Sequence, residues 1–229
     1  MRRHSLQRIQ RLLLLICFIA LLGVGLIAAR IFGFGGPGLI GAVLGKRVAL
    51  ISGHAGYDSG AVCQDADGNV TVTEAEINAN IASLVAERLR RAGAEVLILQ
   101  EFDDQLTNLQ ADVLLSLHAD SCIDATGYKA ASAQNSPIQT AEDRLIACVD
   151  HNYPAATGLT LHKFTITHDM TDYHAFRVIQ PQTPAAILEL GFLGGDQKLL
   201  TQQPERAATG VAESILCFLV ATNPTLTLP

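Results

Sequence analysis

His54 and His118 each stand where a short aliphatic, β-branched run stops, in Val48-Ala49-Leu50-Ile51-Ser52-Gly53-His54 and in Asp112-Val113-Leu114-Leu115-Ser116-Leu117-His118. The run Ala185-Ala186-Ile187-Leu188-Glu189 ends in the same way on a carboxylate, and Glu74 opens a long amphipathic segment between the two histidines. Such runs read as buried strands, and side chains delivered from their carboxyl ends form the floor of an active site on an open α/β sheet. Two imidazoles and one carboxylate are also the donor set of a catalytic zinc that keeps a fourth position open. Zn2+ held in this way lowers the pKa of a bound water toward about 7 and polarises a carbonyl, while a carboxylate outside the donor set moves the protons. The chain therefore reads first as a candidate zinc hydrolase.

The elements that must carry these residues can be read from periodicity. Lys46 to Gly53 reads as a first strand, and Ala55 to Val72 as a loop rich in Gly, Asp and Asn. From Glu74 to Ala92 the apolar positions Ile77, Ile81, Leu84, Val85 and Leu89 recur at helical spacing, with Thr73 as cap and Gly93 as stop. Glu95 to Leu99 is a second strand, Gln100 to Gln110 a polar connector, and Asp112 to Leu117 a third strand. Beyond His118 the pattern predicts strands at Tyr128 to Ser132, Tyr173 to Ile179 and Ala185 to Leu190, with helices at Ala141 to Asn152 and Arg206 to Val220. The alternation argues for an α/β fold: one mostly parallel, twisted central sheet with helices on both faces.

At 229 residues the chain has room for one such domain, 46–229, behind a separate amino-terminal segment, 1–45. Leu12 to Ala29 is an apolar stretch of about 18 residues, close to the minimum for crossing a ~30 Å hydrocarbon layer. Arg2, Arg3, Arg8 and Arg11 precede it, so the positive-inside rule puts the catalytic domain outside the cell membrane on a single-pass anchor. A cleaved signal peptide, ending near Ile27-Ala28-Ala29, is the alternative and makes the domain secreted. The net charge of −6 argues against nucleic acid as a partner. Cys63, Cys122, Cys148 and Cys217 allow three pairings, which the sequence leaves open. Cys63 and Cys122 fall in loops just after the two histidines, so their bridge is the first candidate, and Cys148 and Cys217, inside helical patterns, also read as simply buried small apolar residues.

Four ordered motifs carry a resemblance. Ser-Gly-His54-Ala-Gly-Tyr-Asp58-Ser-Gly60-Ala, Thr-Glu74-Ala-Glu-Ile-Asn-Ala-Asn-Ile-Ala, Ser-Leu-His118-Ala-Asp and Pro184-Ala-Ala-Ile-Leu-Glu189-Leu-Gly-Phe resemble the zinc-dependent N-acetylmuramoyl-L-alanine amidases of the amidase-3 type, over Val48 to Val220. The resemblance implies a peptidoglycan hydrolase that cuts the amide between N-acetylmuramic acid and the L-alanine of the stem peptide. It implies zinc ligands at His54, Glu74 and His118, and a catalytic residue at Glu189. Glu76 is a rival to Glu74, which the family register favours. The family commonly has a longer helical segment before the third strand, where this chain has only Gln100 to Gln110. Its Leu-Gly-Phe-Leu-Gly-Gly stretch also lacks a Ser-Asn often found after the glutamate.

Other residues have secondary expectations. Asp58 and Asp120 are candidates for orienting a metal-bound imidazole, or for shaping their own turns. The segment from Thr165 to Arg177 reads as a wall of the substrate groove. In it His174 is a candidate for stabilising an oxyanion, and Arg177, like Lys163, for holding a stem-peptide carboxylate. Two other functions stay open: a wall-binding module without turnover, and a zinc amidohydrolase of similar fold acting on a small peptide.

Overall fold

The computed structural model describes residues 43–221. In chain order these form β1 (Arg47–Ser52), β2 (Val62–Gln64), β3 (Val70–Thr73), α1 (Glu74–Arg91), β4 (Glu95–Leu99), β5 (Val113–Asp120), β6 (Lys129–Ala131), α2 (Gln139–Thr157), α3 (His168–Thr171), α4 (His174–Val178), β7 (Ala185–Phe192), α5 (Gln197–Gln202) and α6 (Pro204–Ala221). The central sheet has the order β4-β1-β5-β7-β6. β4, β1, β5 and β7 run parallel, and β6 closes one edge antiparallel to β7.

Alternation along the strands sorts side chains onto two faces. Val48 and Leu50, then Val113, Leu115 and Leu117, then Ala186, Leu188 and Leu190 join the cluster covered by α1, α2 and α6. Ala49, Ile51, Leu114, Ala185 and Ile187 point the other way, under Leu106, Leu109, Met170, Tyr173 and Ile179. Helices thus cover both faces, but unequally, with the long ones on one side and short turns on the other. The same two-residue period carries Ser116 and His118 of β5, and Glu189 of β7, onto the thinly covered face. His118 and Glu189 are register partners on neighbouring parallel strands.

Three elements differ from the expected pattern. The strand expected at Tyr173 to Ile179 is instead the short helix α4. Arg177 breaks the alternation there, the apolar positions Tyr173, Phe176 and Ile179 have helical spacing, and both edges of β7 are already taken by β5 and β6. The loop expected at Ala55 to Val72 contains the small hairpin β2-β3, closed by an Asp65 side chain that accepts from the backbone of Asp67 and Asn69. The helix expected to stop at Asn152 continues through Pro154 to a left-handed Gly158. No helix among the described residues is long and apolar enough to cross a membrane, and Leu12 to Ala29 lies outside them.

The Cys63–Cys122 bridge is present and ties the β2-β3 hairpin to the loop after β5. Cys148 and Cys217, whose pairing the sequence leaves open, form a second bridge between α2 and α6. Gly210 explains how, since a Cβ there would meet Tyr153 Cδ2 at 2.9 Å and its Cα at 3.0 Å. Glycine therefore lets α6 lie close against α2. Cys217 is two turns further along the same face, where its Cα stands 5.9 Å from that of Cys148, within bridging range. Replacing Cys148 and Cys217 together by alanine should lower unfolding free energy by about 2–4 kcal/mol in denaturant titration of the full-length chain.

Candidate metal centre

The helix start that presents Glu74 is fixed by a capping box. Thr73 Oγ1 accepts from Glu76 N, and the Glu76 carboxylate reaches back to Thr73 N. Glu76 is therefore occupied as a capping group, and Glu74, 6 % exposed, is the acid that faces inward. Ala61 N donates to its Oε2 at 3.0 Å, and Ala119 N to its Oε1 at 3.2 Å. Oε1 also faces two imidazole nitrogens, His118 Nδ1 at 3.0 Å and His54 Nε2 at 3.2 Å.

That spacing suits a metal. Two donors about 2.0–2.1 Å from a tetrahedral zinc are separated by about 3.3 Å. His54, Glu74 and His118 form one group whose donor atoms all lie within 4.8 Å of one another. Each far imidazole nitrogen faces an oxygen partner. His54 Nδ1 is 2.5 Å from Asp58 Oδ1. His118 Nε2 is 3.5 Å from both Glu101 Oε2 and Tyr173 Oη. With those nitrogens as N–H donors, the lone pairs at His54 Nε2 and His118 Nδ1 point toward Glu74, the arrangement metal-binding histidines use.

Local backbone makes room for this cluster. A Cβ on Gly53 would sit 2.5 Å from His118 Cε1, and one on Gly60 would sit 2.6 Å from Glu74 Oε2. His54 itself adopts φ 65°, a left-handed conformation that a non-glycine residue enters at a cost. Its backbone N–H donates to Glu101 Oε2 at 2.8 Å.

Glu101 is the residue that the strand pattern failed to reveal. It is the second residue after β4 and is 5 % exposed. Tyr173 Oη donates to its Oε1 at 2.7 Å, and His174 Nε2 stands 2.8 Å from the same oxygen. Burial alone would raise its pKa, but the His174 bond, the His118 charge and the His54 and Tyr173 bonds bring it down to about 2 from its ordinary 4.5. Its contribution to stability is present above pH 4.5 and is lost as pH falls toward 2. A carboxyl-end position on β4 was available as a signal, equivalent to that of His54 after β1.

His174 thus reaches the centre through Glu101. Arg177, on the same short helix, donates to Asp172 Oδ2 at 2.7 Å and lines a separate cavity of about 270 Å3 with Glu142 and Gln180. Asp120 does not meet an imidazole among the described residues. It pairs with the buried Lys129 and accepts from Ser121 N at 2.7 Å, because β5 carries it past His118 toward the β6 edge.

The family model described as N-acetylmuramoyl-L-alanine amidase, Amidase_3, matches residues 48–217. The chain belongs to that family. Among solved structures, the amidase Ami1 from Mycobacterium smegmatis aligns with a TM-score of 0.63 at 15% identity, covering 79% of this chain and 99% of that one. The CwlD amidase from Clostridioides difficile, solved in complex with the GerS lipoprotein, aligns with a TM-score of 0.60 at 18% identity, covering 77% and 99%. An amidase from Clostridium difficile 630 gives 0.59 at 20% identity, covering 78% and 99%. At these identities the likeness is one of fold. No curated protein matches the chain by sequence.

In this amidase Glu189 sits apart from the three donors. Its Oε2 is sealed from solvent and has no hydrogen-bond partner among the described residues. Burial pushes its pKa up to about 7; the charges of Glu74 and Asp120 act in the same direction, against His118 and Lys129. The fold therefore favours the neutral acid, and this group's contribution to stability is lost as pH rises from 4.5 through 7. A sealed carboxylate oxygen beside a histidine-carboxylate cluster fits a dication nearby, which would favour its charged form. Carbon-13 NMR of the metal-free protein should show one glutamate carboxyl titrating near pH 7, absent in Glu189→Gln, and its pKa should fall when zinc is added.

Proposed function

We propose that this peptidoglycan amidase works with zinc held by His54, Glu74 and His118, and that Glu189 carries the proton transfer. The observation that carries the reading is the convergence of two imidazole nitrogens on Glu74 Oε1, with Glu189 Oε2, unpartnered among the described residues, one strand away. When bound, the zinc would supply the charge that acidifies a water and polarises the scissile carbonyl.

The chain's own groups do the rest. Glu74, fixed by two backbone amides, keeps the imidazoles at a set separation. Glu189 Oε2 takes a proton from the attacking water and returns it to the departing alanine nitrogen, breaking the bond between the lactyl carbonyl and L-alanine. An acid whose pKa lies near neutrality is suited to both halves of that exchange. Tyr173 and His174 wall the centre on one side, and Arg177 lines the neighbouring cavity, a position from which a stem-peptide carboxylate could be held.

The catalytic domain, 46–229, acts outside the cell membrane, with Leu12 to Ala29 as its anchor. Two disulfides support that location, since such bridges persist in oxidising compartments rather than in the cytosol. The substrate there is the cell wall. Glu189→Gln should keep zinc bound while lowering the release of free stem peptides from purified peptidoglycan by roughly 10^2 to 10^4-fold. Loss of the metal in that variant, or unchanged release, would contradict the assignment.

A further inference from the structure

We propose that Glu101 is the positioning residue of the metal centre: one buried carboxylate that holds the backbone of His54 and the ring of His118, and fastens both to the Tyr173-His174 wall. The proposal rests on reading His54, Glu74 and His118 as the metal donors.

Burying a carboxylate is costly unless it is well paired, and Glu101 has no lysine or arginine partner among the described residues. All its contacts belong to the centre. Oε2 accepts from His54 N at 2.8 Å and lies 3.5 Å from His118 Nε2. Oε1 accepts from Tyr173 Oη at 2.7 Å and meets His174 Nε2 at 2.8 Å. Its own backbone N–H donates to Ala55 O at 3.1 Å, so the loops after β1 and β4 are bonded in both directions around His54.

The geometry makes Glu101 a supporting group rather than a fourth donor. His118 presents Nδ1 to Glu74 and the opposite nitrogen, Nε2, to Glu101. A carboxylate on the far nitrogen fixes the tautomer and ring orientation of a metal histidine and makes its other nitrogen more basic. For His54 that partner is Asp58, which is half exposed. For His118 the far nitrogen meets the Tyr173 hydroxyl in a hydrogen bond of 3.5 Å and, at the same distance, the charge of Glu101 Oε2, a carboxylate buried with the histidine itself. Tyr173 braces the pair, because its hydroxyl also accepts from Ser116 Oγ at 3.0 Å, two residues before His118 on the same face of β5. A single side chain thus sets the φ 65° turn at one ligand and the ring of the other.

The test is zinc affinity, measured by chelator competition on the full-length wild type, Glu101→Gln and Tyr173→Phe, together with the visible absorption of the cobalt-substituted proteins. Glu101→Gln should bind zinc about 10 to 100-fold more weakly, with altered cobalt bands, because His118 no longer has a charged partner. Tyr173→Phe should lose affinity in the same direction by a smaller factor. A folded Glu101→Gln with wild-type affinity and cobalt bands overturns the proposal, as does a variant that is merely less stable with an unchanged cobalt spectrum. Should Glu101→Gln fail to fold, Tyr173→Phe decides, and wild-type affinity there overturns it. A wild type that binds no zinc overturns the donor assignment itself, which separates that failure from this one.

Discussion

The centre depends on one electrostatic constraint: a buried carboxylate oxygen, Glu74 Oε1, faces two imidazole nitrogens at 3.0 and 3.2 Å. Three groups rich in lone pairs can converge so closely only with positive charge among them, supplied by protons or by a metal. In the metal-free protein the Glu74 bond and the charges of Glu189, Glu101 and Glu74 outweigh burial and raise the pKa of His118. The surrounding structure maintains that convergence. The capping box orients the helix start, two backbone amides hold the carboxylate, and Gly53 and Gly60 leave the space that a Cβ would fill.

Around this point two other glutamates are driven in opposite directions by their surroundings. Glu101 has donors on both oxygens and stays charged, with a pKa of about 2. Glu189 is half-buried as a residue, but its Oε2 is sealed from solvent and has no donor among the described residues, and its pKa rises to about 7. One environment fixes a negative charge in place, and the other lets a proton come and go near neutral pH. Carboxylates separated in this way are how a site assigns holding and proton transfer to chemically identical side chains. The division follows from strand register as much as from burial. β5 and β7 set His118 beside Glu189, while β4 ends where Glu101 reaches the opposite nitrogen of His118.

Much of this was legible in the sequence because buried parallel strands leave a strong signal. Val48 to Ile51, Val113 to Leu117 and Ala185 to Leu190 are apolar on both faces, and the polar residues that interrupt or end them had few structural reasons to be there. The order of His54, Glu74, His118 and Glu189 was therefore visible without coordinates. The Cys63–Cys122 pairing was legible only as the first candidate of three, since both cysteines follow a strand-end histidine. The Cys148–Cys217 bridge was not, because it depends on how closely α2 and α6 approach at Gly210. Tyr173 to Ile179 was misread because a short apolar run between turns suits strand and helix alike, and only the lack of a vacant sheet edge decides. Glu101 was overlooked for a similar reason. In a polar stretch, Gln-Glu-Phe-Asp-Asp, nothing local marks one acid as buried; the side-chain partners of Glu101 lie 17 to 73 positions away, from His118 to His174.

The central claim is that three side chains hold a metal and a fourth carboxylate stays outside the donor set. An anomalous-scattering map from crystals of the zinc-loaded protein tests it most directly. The account predicts one zinc peak bonded to His54 Nε2, Glu74 Oε1 and His118 Nδ1, with Glu101 on the far side of His118 and Glu189 unbonded. A peak that includes the Glu189 or Glu101 carboxylate among its ligands, or a zinc bound elsewhere with this cluster empty, would contradict it.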